Sequence, residues 1–237
     1  GLPGILGSSL CQMVELEHIC AMLVANLKKI IAIHGDLPVP CYKELAGFMD
    51  DLEQILAEKS AAVDPARDFI CWDRSNTRKE RYREETRLGI SGTEVTFSLQ
   101  QILGFLAAVR AVIAEIYQEP KRAQVFTPAG VPYTYYQNVV TEYEMVTDAA
   151  GQVVRNATGH PCVRAKAFTQ KQLPLFLEGA VHMLKVHPEL RESIYSAVRA
   201  SDLFDEKLQM YKVCASLADA PFEIGRVKAW GAGWIEN

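Results

Sequence analysis

The densest group of side chains able to do chemistry lies near the end of the chain. Glu223, Arg226, Lys228, Trp230, Trp234, Glu236 and Asn237 share a run that also contains Gly225, Gly231 and Gly233. Indole faces cover the C–H surfaces of sugar rings, while carboxylate, amide and guanidinium groups hydrogen-bond hydroxyls in fixed directions. A carbohydrate pocket needs that mixture. Arg226, Trp230, Trp234 and Glu236 are therefore the expected substrate-binding residues, against the plainer reading that the tryptophans only anchor a loop on the core.

Other chemistries find less support. His182 and His187 are five apart, which places them on different faces of a helix, and no H-E-x-x-H spacing occurs. His18, His34 and His160 stand alone. The expectation is therefore no metal and no catalytic residue. No phosphate-binding G-x-x-x-x-G-K-S/T loop is present, and Gly231-Ala232-Gly233 lacks the remaining glycine of a dinucleotide fingerprint. Gly89-Ile90-Ser91-Gly92 has the wrong spacing for a nucleophile elbow, and no organic cofactor is expected. Tyr133, Tyr135, Tyr136 and Tyr143 could form an aromatic platform, but aromatic residues on a strand more often pack across it.

The elements that must position these groups are mostly helical. Ser9 and Gln12 have capping-box spacing ahead of Leu10, Met13, Val14, Leu16, Ile19, Leu23, Leu27, Ile30 and Ile31, and Gly35 and Pro38 end that run. Leu45, Phe48, Met49, Leu52, Ile55 and Leu56 predict a second helix after Pro40, and the short link between them predicts an antiparallel pair. Residues 73–87 are highly charged, and Glu80 with Arg83, Arg81 with Glu85 and Glu84 with Arg87 support a solvated helix. Ser98 and Gln101 repeat the capping spacing before a helix through Ile116, closed by Pro120.

From about residue 125 the pattern changes. Val139, Thr141, Tyr143 and Met145 alternate, and turn residues follow at Asp148–Gly151 and Gly159–Pro161, so two or three antiparallel strands are expected. Helical spacing returns after Pro174, which suits a first helical turn, and again from Pro188 to Arg199. A shorter helix is expected over 203–213, with a loop beyond Ala220. No repeat at a fixed period is visible. The expected fold is thus mainly α, helical hairpins with a small antiparallel β insertion, divided as a helical hairpin region over 1–124, the β insertion over 125–170 and a helical region over 171–237.

Composition narrows the partners. The 237 residues are 49% hydrophobic with a formal net charge of −4, which argues against an electrostatic grip on nucleic acid or acidic membranes. No run approaches the roughly 18 apolar residues of a membrane span. The six cysteines form no C-x-x-C pair and sit mostly among apolar neighbours, the pattern of free thiols in a reducing, cytoplasmic setting. Asn156-Ala157-Thr158 is a glycosylation sequon that matters only in a secreted protein. The chain opens on Gly1 and breaks off at Trp234-Ile235-Glu236-Asn237 like an element at its start, so a piece of a longer polypeptide is expected.

The stretch Leu203–Asn237, LFDEKLQMYKVCASLADAPFEIGRVKAWGAGWIEN, resembles large proteins related to cellobiose phosphorylase, in family 94 of the glycoside hydrolases. Phe168–Lys185 (FTQKQLPLFLEGAVHMLK) and the tyrosine-rich Tyr133–Glu144 are similar to such proteins too. The resemblance implies part of an (α/α)6-barrel enzyme with β-rich companion domains and a helical linker before the barrel. It implies inverting, phosphate-dependent cleavage of a β-glucoside, with no metal or organic cofactor. Oligosaccharide and inorganic phosphate would be the partners of the full-length protein, together with the remaining domains of the same polypeptide. The family's general-acid aspartate has no counterpart here, and no phosphate-binding residues align. Trp230, Trp234 and Glu236 would lie where the barrel begins, so this segment is expected to be non-catalytic. Two alternatives stand: a helical interaction or scaffold module that binds no sugar, and a small helical protein with a slot lined by the tyrosines.

Overall fold

Local signals set most element boundaries in the computed structural model, which describes residues 7–62, 64 and 66–216. Among these the chain is mainly helical, with small antiparallel sheets. The order is β1 (Gly7–Ser9), α1 (Leu10–His34), β2 (Pro38–Tyr42), α2 (Lys43–Ala61), α3 (Arg67–Thr86), β3 (Glu94–Ser98), α4 (Leu99–Ala114), α5 (Arg122–Val125), β4 (Tyr135–Met145), β5 (Val163–Gln172), α6 (Leu177–Val186), α7 (Arg191–Arg199), β6 (Phe204–Asp205) and β7 (Met210–Tyr211). Packing separates Leu16–Gln118 from a second unit, which joins the residues up to Glu15 with those from Glu119 onward.

In the 16–118 unit, the Ser98 capping box forms as its spacing predicts. The Ser98 hydroxyl accepts from Gln101 N at 3.1 Å, and the Gln101 side chain accepts from Ser98 N at 2.7 Å. Two orphan amides at the start of α4 are satisfied in this way. Cys20, Val24 and Leu106 form a buried cluster between α1 and α4, with Leu27, Ile102 and Val109 packed around it. Gly35, at φ 78°, closes α1 in the left-handed region that glycine occupies without a Cβ penalty.

The expected antiparallel α1–α2 pair is not formed, because the link between them is itself a strand. β2 pairs with β3 from Pro38 opposite Ser98 to Tyr42 opposite Glu94. Pro38 and Pro40 alternate, so both missing N–H groups fall on the same side of this two-stranded ribbon. The hairpin partner of α2 is α3. Arg74 pairs with Glu58, Arg78 with Asp51, and Phe48 stacks on Tyr82 with ring centroids 4.8 Å apart. α3 buries no residue, and the within-helix pairs Arg83–Glu80, Arg81–Glu85 and Arg87–Glu84 all form. Lys59 is the buried charge of this unit; its ammonium lies 2.7 Å from Glu115 and 3.2 Å from Asp68.

The other unit is built on the sheet β1-β4-β5, all antiparallel. Its β content matches the alternation read from Val139 onward. Between β4 and β5 the chain makes a repeat that the sequence pattern had hidden. Asp148 and Asn156 each accept, through a side-chain oxygen, the backbone N–H groups two and four residues on. Val146, Val154 and Cys162, eight residues apart, close a ring of backbone hydrogen bonds: Val154 N to Val146 O, Cys162 N to Val154 O and Val146 N to Cys162 O, at 2.8–2.9 Å. The two eight-residue units share Val146/Val154, Ala149/Ala157 and Gly151/Gly159, with Asp148 and Asn156 equivalent, a repeat so short that only the turn chemistry makes it recognisable.

Two further boundaries differ from expectation. Pro174 lies outside the helix, and α6 begins at Leu177 with Phe176 as its extended N-cap. The stretch 203–213 is a tight β6–β7 hairpin and not a helix, because Asp205 accepts from Lys207 N and Leu208 N and so fixes a turn in competition with helical bonding.

The packing at α6 is unusually specific. Thr134, only 1% exposed, donates its hydroxyl to Phe176 O at 2.7 Å and accepts from Gly179 N at 2.9 Å. A Cβ on Gly179 would lie 2.5 Å from the Thr134 hydroxyl and 3.1 Å from its Cα. Gly179→Ala should therefore destabilise by about 1–3 kcal/mol through overpacking, and Thr134→Val by a similar amount through lost buried hydrogen bonds. Gly104→Ala in α4 should instead stabilise by about 0.5–1 kcal/mol, since its Cβ meets only the tip of Glu53 at 3.3 Å. Urea unfolding followed by circular dichroism separates these signs.

Candidate functional site

Thr134 also fixes the start of α1, since its carbonyl accepts from Leu10 N at 2.9 Å. Two helix N-termini therefore converge on one residue at the head of β4. Side chains from the two helices meet beside it. Cys11 and Glu15 come from α1, Glu178, His182 and Lys185 from α6, and Tyr135 from β4.

Ligand atoms of Cys11, Glu178 and His182 all lie within 4.8 Å of one another. The Glu15 carboxylate holds His182 Nδ1 at 3.0 Å and Lys185 Nζ at 2.9 Å through the same oxygen. The hydrogen bond and the charge of Lys185, with the hydrogen bond from His182, keep the Glu15 carboxyl below the ordinary glutamate range. Tyr135 donates its hydroxyl to Glu178. That bond, with partial desolvation, pushes the phenol up to about 12, so it remains an O–H donor. Burial pushes the Cys11 thiol up as well. A thiol held protonated and 7% exposed is a poor nucleophile. The cluster can bind and orient polar groups, and it offers one sulfur, one nitrogen and one carboxylate oxygen as donors to a metal ion.

The sequence reading named other residues. Arg226, Trp230, Trp234 and Glu236 lie outside the described residues. The four tyrosines do not make a platform. Tyr136 is buried and edge-on to Tyr133 at 6.5 Å, Tyr135 packs edge-on to Phe176 at 5.0 Å, and Tyr143 is exposed. His182 and His187 are separate as expected, His187 pairing with Glu189. What was missed is that His182 meets a cysteine from the far end of the chain. The Glu178-x-x-x-His182 spacing was the available signal, since residues four apart share a helix face, but nothing in the sequence points from α6 to Cys11. All six cysteines are free thiols.

No protein-family profile matches the chain, and no curated protein matches it.

One further surface is relevant. α1 carries apolar residues beyond its core face: Cys20 and Val24 face α4, while Leu16, Ile19, Met22, Leu23, Ile30 and Ile33 are exposed. The stretch Leu99–Tyr117 is long and apolar enough to cross a membrane, and only 17% of it is buried. This corrects the expectation that no run reaches that length. The interruptions Gln100, Gln101, Arg110 and Glu115 had masked it.

The Glu15 pairing has a pH signature. A carboxyl whose folded pKa is depressed binds fewer protons folded than unfolded. Its stabilisation is complete above the unfolded value of about 4.3 and is lost as the pH falls through the lower folded value. Urea midpoints measured across that acid range should drop more steeply for the native chain than for Glu15→Gln. Parallel slopes would mean that Glu15 contributes no such linkage.

Proposed function

We propose that this chain is a non-catalytic segment of a carbohydrate-active enzyme of the glycoside phosphorylase type. In that reaction a carboxylic acid protonates the leaving oxygen of a β-glucoside while inorganic phosphate attacks from the opposite face, with inversion. Both the acid and the phosphate site belong, on this reading, to an (α/α)6 barrel elsewhere in the same polypeptide. Arg226, Trp230, Trp234 and Glu236 line the near edge of its sugar site, and the setting is cytoplasmic.

The observation that carries this reading is spatial. The stretches that resemble such enzymes are distant in sequence yet meet in one unit. Tyr133–Glu144 supplies β4, which pairs with β5, and Phe168–Lys185 supplies the end of β5 and α6. The start of Leu203–Asn237 returns to the same place, where Leu177 N donates to Val213 O and Ala215 N to Leu175 O at 2.8–2.9 Å. Segments that pack together are constrained together, which is how three separate likenesses can have one origin.

A second reading, a helical interaction module with no sugar binding, draws on the exposed apolar residues of α1. A large exposed apolar patch marks a protein-interaction surface.

The full-length protein separates the two. The phosphorylase reading expects sugar 1-phosphate released from β-linked glucosides only when phosphate is supplied. It also expects Trp234→Ala to weaken sugar binding by about 1–3 kcal/mol, as loss of an aromatic anchor does. Free sugar released without phosphate would mean a hydrolase, and no turnover with any β-glucoside would leave the interaction module.

A further inference from the structure

We infer that Cys11, Glu178 and His182 form a binding site for a divalent transition metal of the zinc class. The inference is independent of the proposed function, because it uses only the geometry at the junction of α1 and α6.

The donor set is the first argument. Thiolate sulfur, imidazole nitrogen and carboxylate oxygen are the ligands that Zn2+ and its neighbours select, and three protein ligands with an open position describe a metal site accessible to solvent. Zinc–ligand bonds of about 2.0–2.3 Å put tetrahedral ligands roughly 3.3–3.8 Å apart. Atoms already within 4.8 Å of one another reach that spacing by small side-chain rotations. Glu178 and His182 are separated by one helical turn, so both project from the same face of α6.

The surroundings are the second argument, and they distinguish the group from a chance cluster. Glu15 accepts from His182 Nδ1 at 3.0 Å. A proton on Nδ1 leaves Nε2 with its lone pair, which is the tautomer a metal requires, and a carboxylate behind a histidine is the common support for such a ligand. Lys185 pins the same Glu15 oxygen at 2.9 Å. Tyr135 holds one oxygen of Glu178 and leaves the other available. Two of the three ligands thus have their own orienting partner.

The third argument is the scaffold. Cys11 sits two residues after Ser9, whose hydroxyl accepts from Cys11 N at 3.2 Å, and α1 and α6 are both fixed at their first turns by Thr134. The site is therefore mounted on helix starts and not on a loop, which is where ligand geometry is held best. Binding exchanges the thiol proton for the metal: the S–H bond breaks, the proton leaves to solvent, and sulfur donates its electron pair to the cation. With Cys11 buried and Glu178 exposed, the open coordination position faces solvent on the Glu178 side.

The test uses the untagged chain, stripped with chelator and titrated with Co2+ and then Zn2+. The expected result is stoichiometric uptake of one ion per chain, with the intense visible bands of low-coordinate Co2+ and a thiolate-to-cobalt charge-transfer band in the near ultraviolet. Zn2+ should displace both. Cys11→Ser should abolish the charge-transfer band, while Cys20→Ser should retain it. Glu178→Gln changes an exposed side chain and keeps the fold, so its expected loss of at least tenfold in affinity cannot be ascribed to unfolding. Glu15→Gln should retain the charge-transfer band but bind about 10–100-fold more weakly, as second-shell losses do. Absence of stoichiometric Co2+ binding, a charge-transfer band that survives Cys11→Ser, or unchanged affinity in Glu178→Gln would each overturn the assignment.

Discussion

The described part of the 119-onward unit depends on a single buried hydroxyl. Thr134 donates to Phe176 O, accepts from Gly179 N and, through its carbonyl, receives Leu10 N. One residue at the head of β4 therefore supplies hydrogen-bond partners at the starts of two helices. Helix starts carry unsatisfied N–H groups that are costly when buried, so satisfying both at one point fixes where α1 and α6 begin. It also explains why position 179 must be glycine. The amide can approach Thr134 only because no Cβ stands between them.

That constraint propagates to the polar cluster. With both first turns fixed, residues one turn further along each helix are fixed too. Cys11 and Glu15 lie on α1, Glu178 and His182 on α6, and each pair spans a single helical turn. The cluster does not stabilise the fold by burying charge, since Glu15, Lys185 and Glu178 retain solvent access, and exposed ion pairs contribute little. Its organisation is instead a consequence of the Thr134 junction. Side chains held in register at modest energetic gain are candidates for binding, because positioned donors cost no further ordering when a ligand arrives.

The sequence made some of this legible and hid the rest, for physical reasons. Capping chemistry is local, so the Ser98–Gln101 box, the charged pairs of α3 and the start of α1 after Ser9 could all be read in advance. Alternation from Val139 foretold β4 for the same reason. Long-range pairing could not be read. β2 looked like a linker because Pro38 and Pro40 are poor strand formers, yet their positions on one side of a two-stranded ribbon remove the penalty. The stretch 203–213 gives only a short helical signal in sequence, while Asp205 decides for a hairpin through bonds from Lys207 N and Leu208 N. His182 carries no metal signal in the sequence, because His187 lies five residues away. Its real neighbours are Glu15 and Cys11, and only the fold supplies them.

The two units also use apolar surface differently, and this bears on what the chain is for. In the unit with the polar cluster, Leu10, Val14, Met183, Ile194 and Leu203 are almost wholly buried, so its helices have found their partners. In the 16–118 unit, α1 and α4 share a narrow core, and Leu16, Ile19, Met22, Leu23, Ile30 and Ile33 of α1 remain exposed. Fully burying an apolar side chain is worth about 1.5–3 kcal/mol, so Leu16, Ile19, Leu23 and Ile30, each less than half exposed, forgo on the order of 1 kcal/mol apiece. The charged helix α3 packs on α2 and keeps its own ion pairs in solvent, so it does not serve as a cover. The exposed apolar residues of α1 make a surface that further protein would cover. Such cover is common to the phosphorylase reading and to the interaction module. The difference between them lies in what the covering protein does.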